Sequence, residues 1–305
     1  MTTPSSSDST GISIFIDSRM TTASPSVTSS PTATSIFHTL PVICASMSGM
    51  GGENSRAMGP EREGETPEDG WPMAAIVAAR NEADRIAATV AALRGAFPAA
   101  AIWVADDASG DGTAEAAMAA GAQVVSRGRP HGKGANVTAA AEAALGVEPP
   151  PRLLLLCDGD LGASAARLGP LVAAVEGGEC DLAVAAFSRR VGGGFGIAVG
   201  FAGWAVRRLC GARVEAPISG QRALRAETLR ACLPLAKGFG MEIGMTVDAV
   251  RAGYRLREYE LDLEHRATGR TLAGFLHRGA QLRDFVRVFP SRAFPGRRGG
   301  GEPRP

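Results

Sequence analysis

The sequence predicts an α/β domain: a mainly parallel sheet with helices on both faces. Three observations predict it. From Met73 onward, short apolar runs alternate with segments of amphipathic, helix-length periodicity. One run, "RLLLLC", is apolar throughout its strand length, as expected of a strand covered on both faces. Three runs end in polar clusters, at Arg80-Asn81-Glu82, Asp106-Asp107 and Asp158-Gly159-Asp160. A parallel sheet brings such tips to one rim, where ligands bind.

The elements follow in order. Residues 1–50 are rich in Ser and Thr and carry only Asp8, Asp17 and Arg19 as charges; residues 51–72 are rich in Gly, Glu and Pro. Neither stretch has a periodicity long enough to bury a core, so residues 1–72 are expected to be disordered. They lack the basic segment and apolar core of a secretory signal. Met73 opens the first core-like strand, as it would if the start codon were over-extended.

"MAAIVAA" reads as the first strand, and "ADRIAATVAALRGAF" as a helix with Ile86, Val90, Leu93 and Phe97 on one face. "AAIWVA" is a second strand, stopped by "DDASGDGT"; "TAEAAMAAG" is a helix closed by Gly121. "AQVVS", "RLLLLC" and "CDLAVAAF" supply three more strands. The helices "GKGANVTAAAEAAL" and "SAARLGPLVAAVE" separate them.

From about Ser188 the pattern is less regular. "VGGGFGIAVG" reads as a flexible loop, "FAGWAVRRLCG" as a helix and "ISGQRAL" as a short strand. "GFGMEIGMTVDAVRAG" is a helix closed by Gly253, and "YRLREYELDLEHR" a strand with Tyr259, Leu261 and Leu263 on one side. A last helix, "TLAGFLHRGAQLRDFVRVF", carries a stripe of Leu272, Phe275, Leu276, Leu282, Phe285, Val286 and Phe289. The tail, 291–305, is expected to be disordered.

The chain has 305 residues and a net charge of +1, so no global field points to nucleic acid. No run of about 20 apolar residues free of charge occurs, which argues against a spanning helix. The five cysteines, Cys44, Cys157, Cys180, Cys210 and Cys232, form no CxxC pair. That fits small buried hydrophobes in a reducing cytoplasm, rather than a zinc site or a disulfide framework.

Two carboxylates one residue apart on a tight turn suit a hard divalent cation, Mg2+ or Mn2+, shared with substrate phosphates. Such a cation would neutralise the charge that grows as a sugar–phosphate bond breaks. Helix capping is the alternative for Asp158 and Asp160, and the pattern in isolation favours it. The position after a buried strand, beside two other polar tips, reverses the balance. Lys133, in a glycine-rich loop that feeds a helix N-terminus, suits a phosphate; a solvated turn lysine is its alternative. Arg127, Arg129 and His131 add positive charge nearby. The Walker spacing is absent.

"VAARNEADRI", "VADDASGDGT", "GKGANV" and "LLLLCDGDL", in this order, resemble a family 2-type glycosyltransferase of the GT-A fold. The resemblance covers roughly residues 74–270. It implies a domain over 73–290, with a nucleotide-sugar-binding half over 73–187 and an acceptor half over 188–290. It implies that Ala78, Arg80, Glu82 and the tip Asp106-Asp107 meet the nucleotide. Asp158 and Asp160 would then serve the metal, the diphosphate and the sugar.

"SGQRALRAE", "GFGMEIGMTVDAVRAG" and "HRATGRTL" are similar to the acceptor half of dolichyl-phosphate-mannose-synthase-like enzymes and of glucosyl-3-phosphoglycerate synthases. In the latter a late histidine completes the metal site, so His265 is a candidate third ligand; pairing with Glu264 or Asp262 explains it equally. "DDASGDGT" departs from the phosphoglycerate enzymes. Ser219, Gly220, Gln221 and Arg222 are expected on the acceptor side, with Arg222 able to meet a phosphate.

Glu242 is the candidate base of an inverting reaction. A retaining enzyme or a phosphate acceptor needs no base, and a glutamate at a helix N-terminus also has a purely structural explanation.

The expected function is therefore metal-dependent transfer from a UDP- or GDP-linked sugar to a hydroxyl or phosphate acceptor, either a small molecule or a lipid phosphate. A second copy of the chain is a further expected partner. The last helix is expected to pack on the domain core, although docking on the inner membrane face would fit a polyprenyl-phosphate acceptor. A sugar-phosphate nucleotidyltransferase and a non-catalytic nucleotide-sugar binder are the alternatives. The first lacks its glycine-rich opening loop, and the second has no need of paired carboxylates.

Overall fold

A computed structural model describes residues 12–15, 71–187, 196–263 and 292. The rest of the extension, the "VGGG" segment, His265, the segment expected to form the last helix and the tail apart from residue 292 lie outside the described residues.

The described strands are β1 (Ile12–Phe15), β2 (Met73–Ala79), β3 (Ala101–Asp106), β4 (Gln123–Arg127), β5 (Leu153–Asp158), β6 (Leu182–Phe187), β7 (Arg222–Arg225) and β8 (Leu256–Leu261). They form one sheet in the order β1-β4-β3-β2-β5-β7-β6-β8. The strands β4, β3, β2 and β5 run parallel, and so do β6 and β8. β7 lies antiparallel between β5 and β6.

The helices are α1 (Ile86–Ala96), α2 (Thr113–Ala119), α3 (Lys133–Leu145), α4 (Gly169–Glu176), α5 (Gly196–Cys210), α6 (Ala226–Cys232) and α7 (Met241–Arg251). On one face Ile86, Val90, Leu93, Leu171 and Val175 pack against Val77, Leu153 and Leu155. On the other, Val137, Ala140, Met241 and Met245 pack against Ile76, Trp103, Leu154 and Leu156. The four leucines of β5 thus divide between two cores, and each is at most 2% exposed. Burial of each contributes about 1.5–3 kcal/mol and fixes the strand that carries the Asp158 turn.

Three local readings change. "SAARL" begins as a 3-10 helix over Gly162–Leu168 before α4 starts at Gly169. The short helix α6 follows β7 directly, because Arg225 is extended and Ala226 turns into the helix. Within the segment expected to be disordered, β1 pairs antiparallel with the β4 edge, Ile12 opposite Arg127. The folded body also starts earlier than Met73: Trp71 is buried, its backbone N–H donates to Glu176 Oε1, and Arg152 and Arg225 stack on its ring.

Candidate active site

Strand register brings the polar tips together. Ala78 lies opposite Asp158, and Ala79 opposite Asp106. The turn after β5 is anchored from below: Gly159 N–H donates to Ala78 O at 2.9 Å. A Cβ at Gly159 would stand 3.2 Å from Ala79 Cβ and 3.3 Å from Ala78 O, so the turn has room for glycine only if its neighbours stay put. Thr89 of α1 braces the turn, its hydroxyl donating to Gly159 O at 2.7 Å and accepting from Gly162 N at 2.9 Å. Arg85 Nη1 donates to Asp160 O at 3.0 Å.

Lys133, at the first position of α3, is the centre of the cluster. Its Nζ lies 2.6 Å from Asp158 Oδ1 and 2.8 Å from Glu242 Oε1. Glu242 stands in the first turn of α7 and is buried. Burial opposes the charge on Lys133, but the Asp158 and Glu242 carboxylates and their hydrogen bonds prevail and hold its pKa well above the usual lysine value. The loop before β7 closes over this pair. Gln221 Nε2 donates to Asp158 Oδ2 at 2.8 Å, and Ser219 Oγ donates to Gln221 Oε1 at 3.2 Å, which orients the amide. At Gly220 a Cβ would fall 2.7 Å from Lys133 Nζ and 2.8 Å from Asp158 Oδ2.

Lys133 is brought there by close backbone packing. At Gly134 a Cβ would lie 1.9 Å from Ala236 O, and Leu235 N donates to Thr138 Oγ1 at 3.1 Å. The start of α3 therefore rides directly on the 235–240 segment that leads into α7.

The expected nucleotide side is a second, connected unit. Asp107 is buried and accepts from His131 N at 2.7 Å, from Gly132 N at 3.1 Å and from the Asn136 amide. Arg80, half exposed, reaches Asp107 Oδ2 at 3.6 Å. Asp106 closes its own turn instead, accepting from Ser109 N at 3.2 Å and from Ser126 Oγ at 2.9 Å. The Glu82 N–H donates to Thr113 Oγ1, Asn81 N–H to Ser109 Oγ, and Ala83 N–H to Asp111 Oδ2. These bonds stitch the first and second tips into one wall. Burial, then the charges of Arg127 and Arg129, push the His131 pKa below its ordinary value. That positive field suits an anionic ligand.

Arg222 is a correction. Expected to face the acceptor, it is fully buried beneath the site. Nε donates to Ser219 O at 2.8 Å and Nη1 to Thr246 Oγ1 at 2.9 Å. Burial pushes its pKa down from the usual arginine value, and Glu242 works the other way. It cannot meet a substrate phosphate without unfolding its own loop. Gln221 also turns inward, toward Asp158.

The donor set suits a hard divalent cation, since both candidate ligands at the tip of β5 are carboxylates. Asp158 and Asp160 are the candidate ligands, and both oxygens of Asp158 accept hydrogen bonds, from Lys133 and Gln221. Among the described residues no group of three His, Cys, Asp or Glu side chains surrounds a common point. Further ligands would come from the substrate or from His265.

Sequence reasoning missed Thr89, Arg85, Asn136, Asp111 and Thr246, which brace the site from other elements. It also missed Glu258 of β8, whose carboxylate accepts from Glu215 N and Ala216 N at 2.8 Å each and steadies the chain before Pro217. Only Asp111-Gly112-Thr113 carried a local signal, as a helix-start pattern.

Residues 74–205 match the family described as Glycosyl transferase family 2. Undecaprenyl-phosphate mannosyltransferase of Micrococcus luteus is 31% identical over 211 residues, covering 64% of this chain and 84% of that protein. Among solved structures, glucosyl-3-phosphoglycerate synthase from Mycobacterium tuberculosis in complex with Mn2+, UDP-glucose and phosphoglyceric acid superposes with a TM-score of 0.59 at 27% identity, covering 73% of this chain and 80% of that one. The same synthase with Mg2+ and UDP gives a TM-score of 0.60 at 26% identity, covering 73% and 79%. The mixed, mostly parallel sheet with its flanking helices has the GT-A fold of these neighbours. No helix among the described residues is long and apolar enough to cross a membrane. The chain is a glycosyltransferase and belongs to glycosyl transferase family 2.

Proposed function

We propose that this glycosyltransferase moves a sugar from a UDP- or GDP-linked donor to a phosphate-bearing acceptor, with Mg2+ or Mn2+. The observation that carries this reading is the Asp158–Lys133–Glu242 cluster at the tip of β5, in register with the nucleotide-side tips of β2 and β3. The neighbours solved with Mn2+ and UDP-glucose or with Mg2+ and UDP support the donor and the metal. The phosphoglyceric acid in one of them, and the undecaprenyl phosphate named for the Micrococcus relative, support a phosphate on the acceptor.

In this reading Asp158 and Asp160, with His265 as a further candidate, would hold the cation. Bound there, the cation would neutralise charge on the departing diphosphate. Asp107 and Arg80 line the nucleotide side. Lys133, its pKa held above the usual lysine value by Asp158 and Glu242, carries a positive charge at neutral pH beside Asp158, where it would face the diphosphate. Where the acceptor's nucleophile is a phosphate oxygen, it attacks the anomeric carbon, the bond to the diphosphate breaks, and the electron pair leaves with the nucleotide. Such an anionic nucleophile needs no base, whereas a hydroxyl of a phosphate-bearing acceptor must give its proton to a base. Glu242 suits the first case, because its Oε1 is already engaged by Lys133 at 2.8 Å. Its role in this reading is to hold Lys133. Contact of segment 271–289, expected from its sequence to be an amphipathic helix, with a membrane surface belongs to the lipid-phosphate form of the same reading.

Calorimetry with UDP and GDP, with and without Mn2+, on the wild type and on Asp160→Ala tests it. Metal-dependent binding lost in the variant is expected. Equal affinity of the two proteins would overturn the metal assignment. A screen of donors, then of 3-phosphoglycerate and polyprenyl phosphates, names the substrates.

A further inference from the structure

We infer that Arg222 and Thr246 form a buried strut that sets the separation of the two clamps on the Asp158–Lys133 pair. This rests on the reading of that pair as part of the transfer site. The two clamps come from different parts of the chain. Gln221, in the loop before β7, holds Asp158; Glu242, in the first turn of α7, holds Lys133. Nothing in their local sequences fixes the distance between them.

Arg222 spans that gap from underneath. Its guanidinium donates to Ser219 O at 2.8 Å and lies 3.5 Å from Pro217 O, so it gathers the loop around itself. On the other side Nη1 donates to Thr246 Oγ1 at 2.9 Å, and that hydroxyl donates to Glu242 O at 3.0 Å. Arg222 is 0% exposed and Thr246 1%. A charged group buried this deeply persists only when its donors are matched, so the guanidinium holds a single geometry. A planar fork with donors on three nitrogens is better suited to that than the single ammonium of lysine.

The strut does not reach the nucleotide wall. Asp107, Arg80 and the His131–Gly132 loop make no contact with Arg222 or Thr246 in the hydrogen-bond network of the described residues. Loosening the strut therefore affects turnover and the hold on the diphosphate while leaving the hold on the nucleoside intact. Arg222 and Thr246 are positioning residues: neither faces the cleft.

The test compares wild type, Thr246→Val, Thr246→Ser and Arg222→Lys. Val removes the hydroxyl at nearly constant volume and Ser keeps it, so the pair separates the strut from packing. Readouts are the kcat and KM for nucleotide release from the donor, the affinity for the free nucleoside (uridine or guanosine), and amide hydrogen exchange. In Thr246→Val kcat should fall by about tenfold or more, with nucleoside affinity within about twofold of wild type. Exchange at Gly220–Gln221 and at Met241–Glu242 should rise together. Ser at position 246 should restore most of kcat, and Arg222→Lys should behave like Val or worse. Unchanged kcat in a folded Thr246→Val protein, or exchange rising in only one of the two segments, would overturn the strut. If the wild type releases no nucleotide from any donor, the functional reading fails instead, and the paired exchange response alone decides the strut.

Discussion

Replacing Lys133 by methionine isolates the energetics of the site. The change keeps the length of the side chain and removes its charge. Two arms are lost, at 2.6 Å to Asp158 and at 2.8 Å to Glu242. They are not equal. The Glu242 side chain is 4% exposed, so without its partner it becomes a buried, uncompensated carboxylate, a defect that costs about 3 kcal/mol or more. The Asp158 side chain is 33% exposed and keeps its bond from Gln221, so solvent screening limits that arm to under about 1 kcal/mol.

The sum, about 3–4 kcal/mol, corresponds to a fall in Tm of about 6–16 °C for a folded body of this size. Folding raises the Lys133 pKa above its ordinary value of 10.5. Its contribution is therefore fully present below that pH and is lost as pH rises through the folded value. The gap between wild type and Lys133→Met, measured by urea unfolding, should be flat from about pH 6 to 9 and should narrow above about pH 10.5. A Tm change of less than about 2 °C, or a gap that is already closing near neutrality, would refute the claim that Lys133 offsets a buried charge on Glu242.

Two further predictions follow the same logic. Thr89→Val leaves Gly159 O and Gly162 N without their hydroxyl partner in a fully buried spot, so it should cost about 1–3 kcal/mol in urea unfolding and lower the Mn2+-dependent affinity for UDP. Gly134→Ala places a methyl 1.9 Å from Ala236 O, a rigid backbone atom; the start of α3 and the 235–240 segment must part, destabilising the fold by about 1–3 kcal/mol. Turnover should fall with it, because Lys133 moves with that helix; a folded Gly134→Ala enzyme of wild-type stability and rate would rule out the close approach as the means of placing Lys133.

The parallel sheet and its rim were legible in sequence, because both are written in local periodicity. Four leucines flanked by helix patterns can only be a strand covered twice, and the polar residues that end such strands share an edge. Asp158, Asp160, Asp107 and Lys133 could be named as candidates for that reason. The second half was less legible. α6 is short, and β7 inserts antiparallel between β5 and β6, a pairing that no local pattern encodes.

By itself, the sequence determined which residue types stand at the strand tips and that they suit a phosphate and a hard cation. It did not determine which charges pair. Lys133 and Glu242 are 109 residues apart and meet only because Gly134 lets two backbones touch. Arg222 reads in sequence as an acceptor-side cation able to meet a phosphate, and the fold buries it completely. Alternation and capping depend on neighbours within a few residues, whereas the partner of a buried charge depends on which distant segments are packed against it.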